Sequence, residues 1–279
     1  MNIKSVLTTC FVICAVHVSA QTPLYKQSSA PVESRVKDLL GRMTVDEKIG
    51  QLCCPLGWEM YTKTSKGVVP SELYKERMSA APIGSFWAVL RADPWTQKTL
   101  ETGLNPQSGA KALNALQKYA IDSTRLGIPI LFAEECPHGH MAIGTTVFPT
   151  SLAQASTWDK ELMYKMGETI ALEARLQGAN IGYGPVLDIA REPRWSRMEE
   201  TFGEDPVLTS TLGVAFMKGM QGEVQNDGNI FSPPSSILLL TVSLNPDTMV
   251  HAPISVCDNY FQTICILSRK QWKQEQAQS

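Results

Sequence analysis

Short apolar runs that alternate with amphipathic segments are the strongest constraint on the fold of this chain. Apolar residues at helical spacing indicate helices, and continuous apolar runs indicate strands that are buried on both faces. Helices are predicted over residues 32–40, 110–123, 160–177 and 206–220, and buried strands over 83–89, 128–133 and 185–189. This alternation is typical of βαβ units and a parallel sheet. The sequence therefore predicts an α/β fold up to about residue 229.

Several local signals predict where the helices begin and end. Thr44 and Glu47 form a capping box, and Asp159 is placed to cap the start of another helix. Gly41 and Gly178 are the predicted stops of their helices. The residues expected on the inward helix faces are Leu113, Leu116, Ala120 and Ile121, then Leu162, Met163, Met166, Ile170 and Leu176.

Polar side chains are concentrated where two predicted strands end. Glu134 and Glu135 follow one strand, and a segment rich in arginine and glutamate, 191–205, follows another. In a parallel barrel the loops after the strands form a single active-site mouth. Carboxylates accept hydrogen bonds from sugar hydroxyls, arginine donates a fork of N–H groups, and Trp195 offers an apolar face. The pattern favours a neutral polyhydroxy ligand.

The same polar residues have two other interpretations. Cys136, His138 and His140 could ligate a metal, but their spacing is unusual for zinc and no second ligand group follows, so no metal site and no cofactor are expected. The second interpretation stays open at this point. It makes the charged residues a ladder of surface ion pairs, comprising Glu192, Arg194, Arg197 and Glu200.

Charge and the N-terminal segment limit the partners and the location of the protein. With 25 basic and 27 acidic residues, the net charge of −2 gives no electrostatic basis for binding nucleic acid. Residues 1–20 have the positive charge, apolar run and small-residue ending of a signal peptide, with cleavage expected after Ala20. No later apolar run is long enough for a membrane helix. We therefore expect a periplasmic or extracellular protein, a buried N-terminal strand or helix being the alternative.

Five segments occur in an order that identifies a family. They are MTVDEKIGQL (43–52), LGIPILFAEECPHG (126–139), TVFPTSLAQASTWDKEL (146–162), EARLQGANIGYGPVLDIAREPRWSRMEETFGEDP (173–206) and GMQG (219–222). Together they resemble the N-terminal half of family 3 glycoside hydrolases, the β-glucosidase and β-xylosidase family. PRWSR followed by ETFGEDP is highly specific, although Ser196 stands where glycine is commoner.

The resemblance implies a fold, a reaction and roles for particular residues. The family's first domain is a (β/α)₈ or related barrel, so residues 21–229 would be the N-terminal half of an incomplete TIM-like barrel. Glu135 matches the carboxylate that holds the sugar in the −1 subsite, and Arg194 matches an arginine that reaches the same sugar. The resemblance assigns loop-bracing ion pairs to the remaining charged residues, namely Glu192, Arg197, Glu200 and Glu204. The expected partner is a β-linked oligosaccharide or glycoside.

The family reaction is retaining hydrolysis by two carboxylates, and neither is matched in this chain. Residues 230–279 do not resemble the family. Synonymous codons can be chosen for Ser232 to Ser243 that, read in a shifted frame, encode ATLKHFAAYGV, which contains the Lys-His-Phe expected there. We therefore interpret 230–279 as a frameshift product, irregular apart from a strand within 236–242. By lineage the chain is a β-glucosidase, and as written it has no catalytic residues. The alternatives are a β-xylosidase, an N-acetylhexosaminidase or a non-catalytic carbohydrate-binding fragment.

Overall fold

The computed structural model describes residues 22–222 and the backbone of one further strand. The chain divides into two compact units, residues 1–48 and 49–279. The helices are α1 (Val32–Arg42), α2 (Val45–Leu52), α3 (Glu72–Ala80), α4 (Pro106–Ser123), α5 (Ser151–Ala155), α6 (Lys160–Leu176) and α7 (Pro206–Gln221). The strands are β1 (Tyr61–Thr64), β2 (Gly67–Pro70), β3 (Ser85–Trp87), β4 (Leu131–Glu135), β5 (Ile181–Val186) and β6 (Leu238–Val242). None of the helices in the described part of the chain is both long and apolar enough to cross a membrane.

The described part of the first unit consists of α1, a short 3₁₀ turn before it and the start of α2. The predicted capping box is confirmed, because the Thr44 N–H donates to Glu47 Oε2 (2.9 Å) and the Glu47 N–H donates to Thr44 Oγ1 (3.2 Å). The predicted stop at Gly41 is wrong. Gly41 stays inside α1, and the helix ends one residue later, where the Met43 N–H donates to the Leu39 carbonyl.

The second unit is built on four parallel strands in chain order, β3-β4-β5-β6. Helix α4 connects β3 to β4, helices α5 and α6 connect β4 to β5, and α7 precedes β6. The register pairs Trp87 with Ala133 and Glu135 with Tyr183, which brings the ends of β3, β4 and β5 together. The predicted α/β alternation and parallel sheet are thus confirmed.

Two of the strands are displaced from their predicted positions. Strand β4 begins at Leu131, three residues later than expected, because the Gln117 side chain bonds both the N–H and the carbonyl of Ile130. Strand β4 also ends two residues later than expected. Glu134 and Glu135 are therefore its last two residues and do not follow the strand as predicted. Strand β5 begins at Ile181, earlier than expected, and contains glycines that favour other conformations. At Gly182 a Cβ would lie 2.8 Å from Cε of Met220 on α7, so a larger residue there would require the end of that methionine side chain to move.

The helices cover the sheet with most of the residues that periodicity predicted. Leu113, Leu116 and Ala120 of α4 are buried, as are Met163, Met166 and Ile170 of α6. The exceptions are Ile121, Leu162 and Leu176, which are 42%, 47% and 73% exposed. These three lie at the edges or end of their helices, where no neighbouring element in residues 22–222 covers them.

Helices α6 and α7 approach each other closely through glycine. A Cβ on Gly219 would lie 2.0 Å from the Tyr164 carbonyl oxygen, and one on Gly167 would lie 2.4 Å from the Phe216 carbonyl oxygen. The absence of side chains at these positions lets the two backbones meet. Asp159 caps α6 as predicted, because its side chain accepts hydrogen bonds from the backbone N–H groups of Glu161 and Leu162.

Of the predicted aberrant tail, 230–279, the structure describes only strand β6. This strand lies within the expected range and pairs in parallel with β5, Ile181 opposite Leu238, so that it extends the sheet in chain order. The rest of the tail and the predicted signal peptide, 1–20, lie outside the described residues. Both assignments therefore stay predictions.

Candidate active site

Glu135 lies at the carboxyl end of β4 and is held there by a tryptophan. The Trp87 indole Nε1–H donates to Glu135 Oε1 at 2.7 Å. Burial raises the pKa of Glu135 above its usual value, while the charge of Arg91 and the hydrogen bond from Trp87 act in the opposite direction. A fixed donor therefore orients the carboxyl group through Oε1.

Further aromatic rings lie around the tryptophan that binds this carboxyl group. The Trp87 ring lies 6.2 Å from the Tyr183 ring and 5.6 Å from the Trp95 ring, measured between centroids. Trp58 lies 4.9 Å from Trp95 and 6.2 Å from Trp87, and we call Trp58, Trp87 and Trp95 the tryptophan cluster. Trp95 is 56% exposed, so the cluster presents an open aromatic face beside Glu135.

Arg91 packs against two rings of the tryptophan cluster, those of Trp87 and Trp95. Its guanidinium carbon lies 4.7 Å from the centroid of Trp95 and 5.7 Å from that of Trp87. Its Nε donates to Asp93 Oδ2 at 2.6 Å, and both side chains are largely buried. A cation–π contact with a tryptophan ring is favourable, so Arg91 stabilises the cluster while contributing positive charge near Glu135.

Sequence reasoning missed the tryptophan cluster. Trp87 lies within the predicted strand 83–89, whereas Tyr183 lies two residues before the predicted strand 185–189 and belongs to β5 only in the structure. Trp58 and Trp95 lie in irregular segments, and nothing local indicated that they would meet Trp87. Trp195, the residue singled out as a stacking face, is half-buried in a turn in which its N–H donates to the Glu192 carbonyl.

Arg194 and Arg197 have different surroundings. The guanidinium of Arg194 forks onto Glu192, at 2.9 and 2.8 Å, and its side chain is 87% exposed. The guanidinium of Arg197 forks onto Glu200, at 2.8 and 2.5 Å, and interacts electrostatically with Asp188 and Glu135. Of these two arginines, only Arg197 has a charge that acts on Glu135, where it adds to the larger effect of Arg91. The assignment of Arg194 to the sugar, which the resemblance implies, stays a prediction.

Three of the four residues assigned to loop bracing form ion pairs in the structure, namely Glu192, Arg197 and Glu200. Glu192 and Glu200 each hold an arginine, and the hydrogen bonds from Arg194 lower the pKa of Glu192 to about 2. Glu204 is exposed and forms no ion pair with any residue in 22–222. A bracing role for Glu204 therefore stays a prediction.

Glu134 and two further groups near the end of β4 are deeply buried. Burial raises the pKa of Glu134 to about 8, since backbone hydrogen bonds from Leu90 and Val89 offset the desolvation only in part. Burial lowers the pKa of His140 to about 4 and raises that of the Cys136 thiol. Within the described residues no three His, Cys, Asp or Glu side chains are grouped so that they could hold a metal ion.

Comparison with known proteins places this site in a family. The model of the glycosyl hydrolase family 3 N terminal domain matches residues 44–236. A putative beta-xylosidase of Formosa agariphila is 32% identical over 75% of this chain and 26% of its own length. A periplasmic beta-glucosidase of Salmonella typhimurium is 34% identical over 69% of this chain and 21% of its own.

A solved structure shows the same fold. A β-glucosidase from Erythrobacter marinus superposes with a TM-score of 0.61 at 28% identity, covering 78% of this chain and 26% of that one. The chain spans about a quarter of the length of the proteins that it matches. Because the family model covers most of the chain, including every residue of the site described above, the chain belongs to glycosyl hydrolase family 3 through its N-terminal domain.

Proposed function

We propose that this chain forms the sugar-binding part of an enzyme that hydrolyses β-linked glycosides, with a glucoside as its ligand. The observation that carries the proposal is the setting of Glu135. This carboxyl group is oriented by Trp87, lies beside an exposed aromatic face and is within the electrostatic range of Arg197. Carboxylate acceptors, a forked donor and an aromatic face are the groups that suit the hydroxyls and C–H face of a sugar.

The fold supports placing the sugar at this end of the sheet. Three parallel strands in chain order, β3, β4 and β5, are what a segment of a (β/α)₈ barrel contains, and we propose that 21–229 is such a segment. In barrels of this kind the site is formed at the carboxyl ends of the strands. Glu135 is the last residue of β4, and Trp87 is the last residue of β3.

The arginines divide between sugar contact and bracing in this proposal. Arg197 is the better placed of the two to share a sugar with Glu135, because its charge already acts on that carboxyl group. Arg194 reaches a sugar only after it releases Glu192. Glu192 and Glu200 then brace the loop by holding the two arginines in place.

Binding of glucose by the 279-residue chain tests the role of Glu135. Glu135→Gln keeps an acceptor for the Trp87 indole and removes the charge. We expect it to lower the affinity for glucose at least tenfold, since a hydrogen bond to a charged group contributes about 1.5–3 kcal/mol. Glu168→Gln, at an exposed glutamate of α6, is the matched control and leaves the affinity unchanged. Equal affinities of wild type and Glu135→Gln, measured by NMR titration, would remove Glu135 from the binding site.

The chain as given is proposed to bind glycosides without hydrolysing them. Retaining hydrolysis needs two carboxylates roughly 5 Å apart, and none in this chain matches the family's nucleophile or acid. Reading 230–279 as a frameshift product leads to a direct comparison. The 279-residue chain and a frame-corrected protein are assayed on nitrophenyl β-glucoside and β-xyloside, and only the corrected protein turns over. Comparable turnover by both would show that the catalytic residues are misassigned.

The same two substrates separate the candidate activities. A preference for the xyloside would favour the β-xylosidase alternative, which the similarity to the Formosa agariphila protein supports. Turnover of neither, combined with glucose binding, would favour a non-catalytic carbohydrate-binding fragment. An N-acetylhexosaminidase would act on the nitrophenyl N-acetylglucosaminide instead.

A periplasmic or extracellular location is proposed from the N-terminal segment. Residues 1–20 have the pattern of a signal peptide, and the Salmonella typhimurium relative is named as periplasmic. Mass spectrometry of the exported protein should give Gln21 as the first residue. A cytoplasmic protein that retains Met1 would contradict this assignment.

A further inference from the structure

Two adjacent glutamates of β4 bind the same short segment from two sides. Successive side chains of a strand point to opposite faces, so Glu134 and Glu135 face away from each other. Glu135 accepts from the Trp87 indole, and Glu134 Oε1 accepts from the backbone N–H of Leu90 at 3.0 Å. Residues 87–91, which we call the post-β3 turn, are therefore held by both carboxyl groups.

The post-β3 turn has a conformation that needs support. Ala88 has a φ of 62°, in the left-handed region that residues with a Cβ seldom adopt. Its N–H donates to the Ala133 carbonyl at 2.7 Å, and the bond from Leu90 to Glu134 is the next attachment along the turn. Ala88, Val89 and Leu90 are all fully buried, so water cannot replace either bond.

The two ends of the post-β3 turn carry side chains of the site. Trp87 stands at the start of the turn and orients Glu135, and Arg91 stands at its end and covers the rings of Trp87 and Trp95. A shift of the turn would therefore move both the donor to Glu135 and the cation that fastens the tryptophan cluster. Glu134, which is buried, is the side chain that ties the middle of this turn to β4.

We infer that Glu134 is a positioning residue: its carboxyl group holds the Leu90 backbone so that Trp87 and Arg91 keep the places from which they act on Glu135. Only the expected effect of Glu134 on sugar binding rests on the proposed function; its effect on the position of Trp87 does not. What Glu134 supplies is an acceptor oxygen at the correct reach, with no need for negative charge. Burial raises the pKa of this carboxyl to about 8, so the group is mostly neutral at neutral pH and agrees with that requirement.

This role makes glutamine a better replacement for Glu134 than aspartate. Glu134→Gln keeps an amide oxygen at the same reach, whereas Glu134→Asp keeps the carboxyl group but is one methylene too short for Leu90. The readout is hydrogen exchange of the Trp87 indole N–H in the 279-residue chain labelled with ¹⁵N-tryptophan, assigned through Trp87→Phe. We expect the protection of this N–H to stay within about twofold of wild type in the glutamine variant and to fall at least tenfold in the aspartate variant.

The outcomes separate positioning from charge and from the sugar-binding proposal. If aspartate preserves the protection, or if glutamine loses it as fully as aspartate, the inference is overturned. If the aspartate variant does not fold, Glu134→Met replaces it, since it fills a similar volume and accepts no strong hydrogen bond. A glucose titration of the same samples should show weaker binding only where the indole protection is lost. Should the wild-type chain bind no glucose, the proposed function fails, while the indole exchange still decides the role of Glu134.

Discussion

Replacing Glu134 by glutamine should change how the stability of the protein depends on pH. The pKa of Glu134 is about 8 in the folded chain and 4.5 in an exposed glutamate. Between these values the folded chain keeps a proton that the unfolded chain releases, so the free energy of unfolding falls as pH rises. Below pH 4.5 the group is protonated in both states, and above pH 8 it is ionised in both.

The pH window that isolates Glu134 lies between 6.5 and 8. Burial lowers the pKa of His140 from 6.5 to about 4, so His140 increases stability as pH rises from 4 to 6.5 and contributes no change above it. Where the folded state binds one proton more than the unfolded state, the free energy of unfolding falls by about 1.4 kcal/mol for each unit by which the pH rises. From pH 6.5 to 8, Glu134 should therefore reduce the free energy of unfolding by about 2 kcal/mol. Its immediate charged neighbours, Glu135 and Arg91, are present in both proteins and cancel in the comparison.

Urea unfolding followed by tryptophan fluorescence, at pH 6.5 and 8 and constant ionic strength, measures this difference. The wild-type protein should lose about 2 kcal/mol more than Glu134→Gln between the two pH values. Parallel curves for the two proteins would refute the reasoning, because they would mean that Glu134 is already ionised at pH 6.5. A wild type that gains stability over this window relative to the variant would refute it as well.

Two further predictions concern packing and the arginines, each with a matched control. Gly219→Ala should destabilise the protein by more than about 2 kcal/mol, because its Cβ would lie 2.0 Å from the Tyr164 carbonyl oxygen. Gly41→Ala is the control: a Cβ at Gly41 would meet nothing within 4 Å, so this variant should stabilise the protein by about 0.5–1 kcal/mol. Thermal unfolding checks both, and a neutral Gly219→Ala would contradict the close approach of the helices. Arg197→Met should weaken glucose binding at least fivefold, and the exposed Arg194→Met less than twofold. The reverse order would restore Arg194 as the sugar-binding arginine.

Local features of the sequence were sufficient to predict the elements of the fold. The capping box at Thr44, the cap at Asp159 and the helical spacing in α4 and α6 depend on neighbours within one or two turns, and the structure confirms them. The resemblance likewise rests on contiguous motifs. Glu135 could be singled out because a polar residue at the end of an apolar run is visible in the sequence itself.

Features that depend on distant residues could not be predicted in the same way. The start of β4 is set by the Gln117 side chain and that of β5 by pairing with its neighbour, so the apolar runs alone misplaced both. The choice between Arg194 and Arg197 depends on which carboxylates each guanidinium meets in space. Two arginines three residues apart in a loop give no local signal for that.

The sequence by itself determined the alternation of helices and strands, the family and the position of Glu135, the carboxylate proposed to bind the sugar. These follow from periodicity, capping and motif order, which are properties of neighbouring residues. Only the tertiary structure decided the surroundings of that carboxylate. The tryptophan cluster joins residues from three separate segments, and Glu134 became a buried, mostly neutral acceptor because the post-β3 turn packs over it. The physical reason is that burial and approach between distant segments set the orientation and charge of a group, and neither is written in the residues beside it.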